Sequence, residues 1–246
     1  MSEQKPTIVL VHGAFAESSS WNGVIAQLQQ HEVTAVAVAN PLRSLAGDAA
    51  YVRDVMASIE GPIILVGHSY GGLVISEAAA DNDAVVGLVY AGAFVPETGQ
   101  SAFDLSGSAP GSTLGDALAA YPVSSGGDEF VIRPELFHHQ FAADVSAEVA
   151  ALMAATQRPV TQAALTEGLP TERPAWRDIP SWHVFGEKDL NIPVAVHRAG
   201  AERAASRGTH EIAGASHAIS VSEPAAVAGT IAEAAKAYVA SLVAAA

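Results

Sequence analysis

Residues 63–80 read IILVGHSYGGLVISEAAA. A short, wholly apolar run (63–66) meets Gly67-His68-Ser69-Tyr70-Gly71 and passes straight into a helical pattern. The apolar run predicts a strand covered on both faces, and the glycines predict a sharp turn at its end. A serine at the tip of such a turn sits on a strained backbone, with its hydroxyl standing above the sheet. Strand and helix approach closely there, so the residues two before and two after the serine must be small. Gly67 and Gly71 meet that demand. The start of the following helix aims free N–H groups and a partial positive charge at any anion formed beside the hydroxyl. The same glycines would suit a phosphate loop, but no lysine follows them. Ser69 is therefore the candidate nucleophile.

Outward from this turn, further short and mostly apolar stretches read as strands at 7–11 (TIVLV), 33–39 (VTAVAVA), 85–90 (VVGLVY), 182–185 (WHVF) and 209–212 (THEI). Helical patterns separate them, at 21–30, 48–59, 71–80, 193–205 and 223–243. Pro193 and Ser222-Glu223-Pro224 are helix-start signals. This alternation predicts an α/β fold: a parallel sheet of about six strands with helices on both faces. The rhythm breaks once, over 96–178. That stretch begins rich in glycine and serine (98–127), then turns helical at 134–140 and 146–156. It is too long for one crossover and too poor in strand signal to extend the sheet. Phe137, Phe141, Leu152, Met153, Leu165 and Leu169 give it apolar faces of its own. It reads as a helical cap inserted over one edge of the sheet. The expected organisation is one domain, 1–246, with its core in 1–95 and 179–246. Residues 244–246 read as a frayed tail.

Composition narrows the function classes. The chain has a mass of 25.1 kDa. A chain of that size buries around seven-tenths of its extended surface on folding, ample for one core. Half the residues are apolar and 15% are charged. That balance excludes a disordered chain. Alanine supplies 50 of the 246 residues and favours helix. The net charge is −14, and the twelve basic residues are scattered. Neither nucleic acid nor an anionic membrane surface is therefore an expected partner. With no cysteine, disulfides, thiolate nucleophiles, iron–sulfur clusters and cysteine zinc sites are excluded. No His-Glu-x-x-His motif is present, and no metal or other cofactor is expected. Neither a signal peptide nor a membrane span is read in the sequence, so a soluble, cytoplasmic protein is the expectation.

A serine nucleophile needs a base, and the base needs an orienting acid. Of nine histidines, His217 lies in Gly214-Ala215-Ser216-His217-Ala218, after the last expected strand and at the same carboxyl edge of the sheet as Ser69. His31, His183, His197 and His210 fall at less suitable places. The acid is expected in Gly186-Glu187-Lys188-Asp189, after the penultimate strand. Asp189 is the first choice, with Glu187 and Glu97 as alternatives. The order Ser, Asp, His suits this architecture. His12-Gly13-Ala14-Phe15 closes the first strand, beside the expected end of the third. The backbone N–H groups of Ala14 and Tyr70 are the candidate oxyanion donors. His12 reads as a residue that holds its loop. Phe15, Phe94, Phe103, Phe137, Trp176 and Leu190 are candidate substrate-pocket residues, and the adjacent His138 and His139 read as cap packing or surface.

These motifs resemble the α/β-hydrolase superfamily, and within it the compact group of plant methylesterases, hydroxynitrile lyases and their bacterial relatives. The resemblance rests on VLVHGAFAESSSW (9–21), GHSYGG (67–72), VYAGAFVPETG (89–99), GEKDLNIP (186–193) and GASHAISVSEP (214–224), and it is loose in the cap. It implies a Ser69–Asp189–His217 triad, oxyanion donors at Ala14 and Tyr70, and a homodimer as a candidate assembly. It also implies that the chain begins at the family's usual third strand. In the lyases the position of Gly13 carries Thr or Asn, and in some a Lys follows the catalytic histidine. Here Gly13 and Ala218 stand there, which points to ester hydrolysis. The expected reaction is cleavage of a small carboxylic ester through an acyl-enzyme on Ser69, slowing on the acid side as His217 takes a proton. Two rivals use the same residues. One is a hydrolase-fold receptor with slow turnover; the other is lactone, thioester or C–C bond hydrolysis, or lyase chemistry.

Overall fold

The computed structural model describes residues 5–124 and 126–244, so 245–246 of the expected tail lie outside the described residues. In chain order the elements are β1 (Thr7–Val11), α1 (Asn22–Gln30), β2 (Ala35–Val38), α2 (Leu45–Ala57), β3 (Ile63–His68), α3 (Gly71–Ala78) and β4 (Val85–Ala91). The insertion follows, with α4 (Ala102–Ser106), α5 (Leu114–Ala117), β5 (Leu118–Pro122), β6 (Asp128–Ile132), α6 (Pro134–Phe141), α7 (Ala147–Thr156), β7 (Val160–Thr161) and α8 (Gln162–Thr166). The chain then returns to the sheet with β8 (Ser181–Gly186), α9 (Val194–Arg203), β9 (Thr209–Ile212), α10 (Ile219–Ser222) and α11 (Pro224–Ala244).

Six strands form one parallel sheet in the order β2-β1-β3-β4-β8-β9. The chain leaves β1 toward one edge and returns to place β3 on its other side. The switch point therefore lies beyond the carboxyl ends of β1 and β3, where Val11 pairs with Gly67. Alternate residues feed two cores, as the pleat dictates. Ile8, Leu10, Ile64 and Val66 pack with Trp21, Leu28 and the Val227 and Ile231 face of α11. Val9, Val11 and Leu65 pack with α2 and α3 on the other face.

Local chemistry sets the helix starts. The Ser44 hydroxyl accepts the Gly47 N–H to open α2, and Ser101 and Asp104 form a capping box on α4. Pro134 and Pro224 occupy first-turn positions in α6 and α11. By length and composition α11 could cross a membrane; in this fold it buries Val227, Thr230, Ile231 and Ala234 against the sheet.

One expectation of the insertion is corrected. Besides its helices it contains a three-stranded antiparallel sheet, β5-β6-β7, with Leu118 opposite Ile132 and Phe130 opposite Val160. Its strands are short and largely half-exposed or exposed, and β5 is alanine-rich and ends in Pro122. No alternating pattern therefore marks it in the sequence. Nor does the insertion form a core apart. Phe137, Phe141, Val160, Leu169 and Trp176 join the cluster that covers α2 and α3. Cap and sheet are thus held together by the same apolar packing that fixes α3, the helix after Ser69.

Leu65 lies at the centre of this arrangement, fully buried on β3. Leu65→Ala is expected to destabilise the protein by about 2–5 kcal/mol. Urea unfolding checks this; an unchanged midpoint would show that the two layers do not depend on the central strand.

Candidate active site

β3 ends at His68 and α3 begins at Gly71, so Ser69 and Tyr70 alone make the turn between them. Ser69 takes φ +55°, the left-handed region that L-residues avoid. A Cβ on Gly67 would lie 2.6 Å from the Gly71 carbonyl oxygen, which is why a side chain cannot occupy that place. The β1 loop presses against the serine from the other side. A Cβ on Gly13 would lie 2.5 Å from the Ser69 Cβ and 3.2 Å from its Oγ. Neither the Ala14 nor the Tyr70 backbone N–H donates a hydrogen bond to another described residue, so both remain available to a ligand oxygen. The Tyr70 phenol, by contrast, is committed: it donates to the buried Asp48 carboxylate at 2.9 Å and thereby ties the turn to α2. Burial pushes the Asp48 carboxyl upward, against the hydrogen bonds it accepts from the Arg43 N–H and Tyr70.

His217 stands between β9 and α10. Its Nδ1 donates to Asp189 Oδ2 at 2.7 Å. The Nε2 lone pair is therefore free to take a proton. Three contacts fix the ring and its loop. His68 Nε2 donates to the His217 carbonyl at 2.9 Å, the Phe141 ring meets the imidazole edge-on at 4.9 Å, and the Ala218 N–H donates to the Phe141 carbonyl at 3.0 Å. The neighbouring Ser216 donates its N–H to Asp144 at 3.0 Å and its hydroxyl to the same carboxylate. The insertion therefore holds the histidine loop in place through Phe141 and Asp144. Ser69 and His217 face one cavity of about 370 Å³ but are not hydrogen-bonded to each other in this structure. Such contacts often tighten only around substrate.

Asp189, between β8 and α9, is buried with four donors around it. Its Oδ1 accepts the Asn191 and Ile192 N–H groups, each at 2.8 Å; its Oδ2 accepts His217 Nδ1 and His197 Nε2, the latter at 3.0 Å. Burial alone would raise this carboxyl. The His217 imidazole beside it and the hydrogen bonds from both histidines outweigh burial and hold it well below the usual carboxylate range. The two alternative acids are engaged elsewhere. Glu187 accepts the Gly214 N–H at 3.1 Å, and Glu97 pairs with Arg177 at 2.5 Å.

The structure divides the expected pocket residues. Phe15, Phe94 and Phe103 line the cavity, together with Ala14, Ser69, Tyr70 and His217. Phe137, Trp176 and Leu190 do not. Phe137 is buried inside the insertion, stacked on Phe141 at 5.0 Å, and Trp176 is buried with its indole N–H donated to the Pro96 carbonyl at 2.8 Å. Leu190 acts through its carbonyl, which accepts from the Thr113 N–H and from Gln140. Ile192, two positions on, takes the lining place that Leu190 was expected to fill. Leu114, Leu118 and Leu165 from the insertion line it as well, and among the described residues no Asp, Glu, Lys or Arg does. His12 donates to the Gly13 carbonyl at 2.9 Å, in keeping with a loop-holding role. His138 Nε2 donates to the Val145 carbonyl at 3.0 Å, and His139 is exposed. Sequence reasoning passed over His197. Its only signal was a histidine shortly after the acid, at the start of a helix, and nothing in that spacing shows that the helix turns back over Asp189.

A parallel sheet with a strained serine turn at its switch point defines the class, an α/β-fold hydrolase. The chain belongs to the alpha/beta hydrolase family, which it matches over residues 8–230. It is 30% identical over 213 residues to alpha/beta hydrolase nvfD of Aspergillus novofumigatus, covering 78% of this chain and 81% of that one. It is 38% identical over 112 residues to a carbendazim hydrolyzing esterase of a Nocardioides species, covering 38% of this chain and 44% of that protein. The crystal structure of polyneuridine aldehyde esterase shares the fold, with a TM-score of 0.79 over 94% of this chain and 99% of that one, at 20% identity.

Gly13→Ala would force its Cβ against Ser69. The variant should be destabilised by about 1–3 kcal/mol, and an unchanged urea midpoint would show that the loop backs away freely. Three buried histidines set a pH dependence of stability. Burial pushes His12 down to about 4 and His68 and His183 down to about 3, so all three are neutral in the folded chain at neutral pH. In the unfolded chain each takes a proton below about pH 6.5. The unfolded state then binds more protons, and stability falls as the pH drops from about 6.5 toward the folded values. The slope is about 1.4 kcal/mol per pH unit for each ring. Urea midpoints measured from pH 7 to pH 5 should fall steadily; a flat series would mean that these rings are charged when folded.

Proposed function

We propose that the protein is a serine carboxylesterase acting on small, uncharged carboxylic esters. The observation that carries this reading is the shared cavity. Ser69, on its left-handed turn, and His217, bonded to the buried Asp189, face one space lined by apolar residues and, among the described residues, no Asp, Glu, Lys or Arg. The carbendazim hydrolyzing esterase, similar over part of its length, supports the choice of ester chemistry.

In the proposed reaction His217 Nε2 takes the Ser69 proton as Oγ attacks the ester carbonyl. The carbonyl oxygen becomes an oxyanion and accepts the Ala14 and Tyr70 N–H groups, each such donor being worth about 3 kcal/mol of barrier. The His217 imidazolium is steadied by Asp189 and gives its proton to the departing alkoxide, which leaves as the alcohol. A water then enters, His217 takes its proton, and the hydroxide attacks the acyl-enzyme. Collapse of the second tetrahedral intermediate frees the carboxylic acid and returns the proton to Ser69. The cavity has a volume of about 370 Å³. That is the small end of the range for ligand pockets and suits short acyl and alcohol groups. The net charge of −14 opposes nucleic acid as a partner.

A p-nitrophenyl ester series of increasing acyl length tests the reading, run with the wild type and Ser69→Ala. The wild type should turn over the short esters and be labelled by a fluorophosphonate. Ser69→Ala should lose labelling and about three orders of magnitude or more in kcat. Labelling without turnover would replace the esterase reading with that of a receptor, and turnover that survives in Ser69→Ala would remove Ser69 from the mechanism.

A further inference from the structure

Asp189 Oδ2 is shared by two imidazoles. His217 Nδ1 lies at 2.7 Å and His197 Nε2 at 3.0 Å, and both side chains are almost wholly buried. A deprotonated carboxylate only accepts, so His197 must carry its proton on Nε2. The ring is not free to turn away. It sits in the first turn of α9 and stacks on Phe185 of β8 at 4.9 Å, with the planes 14° apart. The proposed hydrolysis needs only one of these two bonds, the one from His217.

We propose that His197 is a positioning residue that sets the pH range of the reaction by competing with His217 for Asp189 Oδ2. This rests on the proposed roles of Ser69 and His217. A carboxylate oxygen that already accepts a second charge-assisted hydrogen bond is a weaker partner for the His217 imidazolium than an oxygen given to His217 alone. The second bond therefore lowers the proton affinity of His217 and keeps it in its base form at lower pH. The effect has the same sign whether His197 is neutral or charged, because a charged His197 would repel the His217 cation as well. The other titratable groups facing His197 are His183 from β8, close enough to feel its charge, and Glu211 from β9. Glu211 is exposed and itself paired with Arg198 at 2.6 Å, so it leaves the Asp189 contact unaltered. The shared bond also closes the loop that carries the acid. Asn191 and Ile192 hold Oδ1 while the two imidazoles hold Oδ2, and the carboxylate cannot rotate without breaking several bonds at once.

The test compares His197→Met, which keeps the apolar contact and removes the donor, with His197→Gln, whose side-chain N–H reaches the same position. The readouts are kcat/KM for a short p-nitrophenyl ester from pH 5 to pH 9 and the NMR titration of the His217 ring over the same range. With Met the acid limb should move up by about one pH unit, a loss of about tenfold at its low end, while the alkaline plateau changes little. Gln should restore the wild-type limb. An unmoved limb in the Met variant, a loss uniform across pH, or Gln behaving as Met would overturn the proposal. If the wild type hydrolyses no ester, the esterase reading fails, and the His217 titration still decides the role of His197: a shift in Met but not in Gln supports it, and no shift overturns it. If the Met variant does not fold, nitrogen-detected NMR of the wild type at pH 8 decides. A protonated His197 Nε2 supports the shared bond, and a bare one overturns it.

Discussion

One buried carboxylate organises the carboxyl edge of the sheet. Asp189 has lost its water, a loss no isolated carboxylate sustains. The four N–H donors around it replace that water. Each donor belongs to a segment that must be correctly placed for the bond to form: the Asp189 loop itself, the first turn of α9 and the loop after β9. The Lys188 N–H adds a backbone bond to the Ala215 carbonyl, so the acid loop and the histidine loop are joined directly. Removing any one donor leaves a charged acceptor short of a partner, at about 1–3 kcal/mol. The same bonds that stabilise the edge thus orient His217, the proposed base.

Ser69, the proposed nucleophile, is held by a different force. Among the described residues none hydrogen-bonds to the Ser69 hydroxyl; backbone bonds to Gly92 and Phe94 and close packing place the residue. The backbones of β1, β3 and α3 approach too tightly for a Cβ at Gly13 or Gly67. The strained φ of Ser69 persists because the surrounding layers allow no relaxation. The insertion completes the arrangement. Its Phe141 braces the His217 ring, its Asp144 holds Ser216, and its aliphatic residues roof the cavity. The proposed catalytic groups come from the sheet and the walls around them largely from the insertion, so the reaction and its selectivity are carried by different parts of one apolar core.

The elements that were legible in the sequence are those whose signal is local. The strands at 7–11 and 209–212 lie where the sequence reading places them, and the others shift by only one or two residues at their ends. For the central strands, burial on both faces makes a run continuous, whereas β9 (THEI) is exposed or half-exposed and was marked by its place in the alternation. Several of the helices between are opened by prolines or hydroxyl caps that can be read directly. Ser69, Asp189 and His217 were legible for a related reason: each sits at a strand end, and strand ends in a parallel sheet share one edge. The small sheet β5-β6-β7 was not legible, because its strands are two to five residues long and largely half-exposed or exposed, and carry no periodic signal. Of the aromatic residues expected in the pocket, Phe15, Phe94 and Phe103 line it, whereas Phe137 and Trp176 turn into the core. Aromatic identity alone does not say toward which side of a wall a ring points.

The parallel α/β architecture, the serine turn and the order of Ser69, Asp189 and His217 along strand ends can be read from the chain alone, because they follow from spacing, periodicity and the conformational demands of glycine. Which groups share Asp189, which side chains face the cavity and how the insertion braces His217 are settled by packing in three dimensions. These are contacts between residues far apart in the chain, such as Asp144 and Ser216, which lie 72 positions from each other. Their geometry is set by how whole layers pack, and no local pattern along the chain encodes that distance or direction.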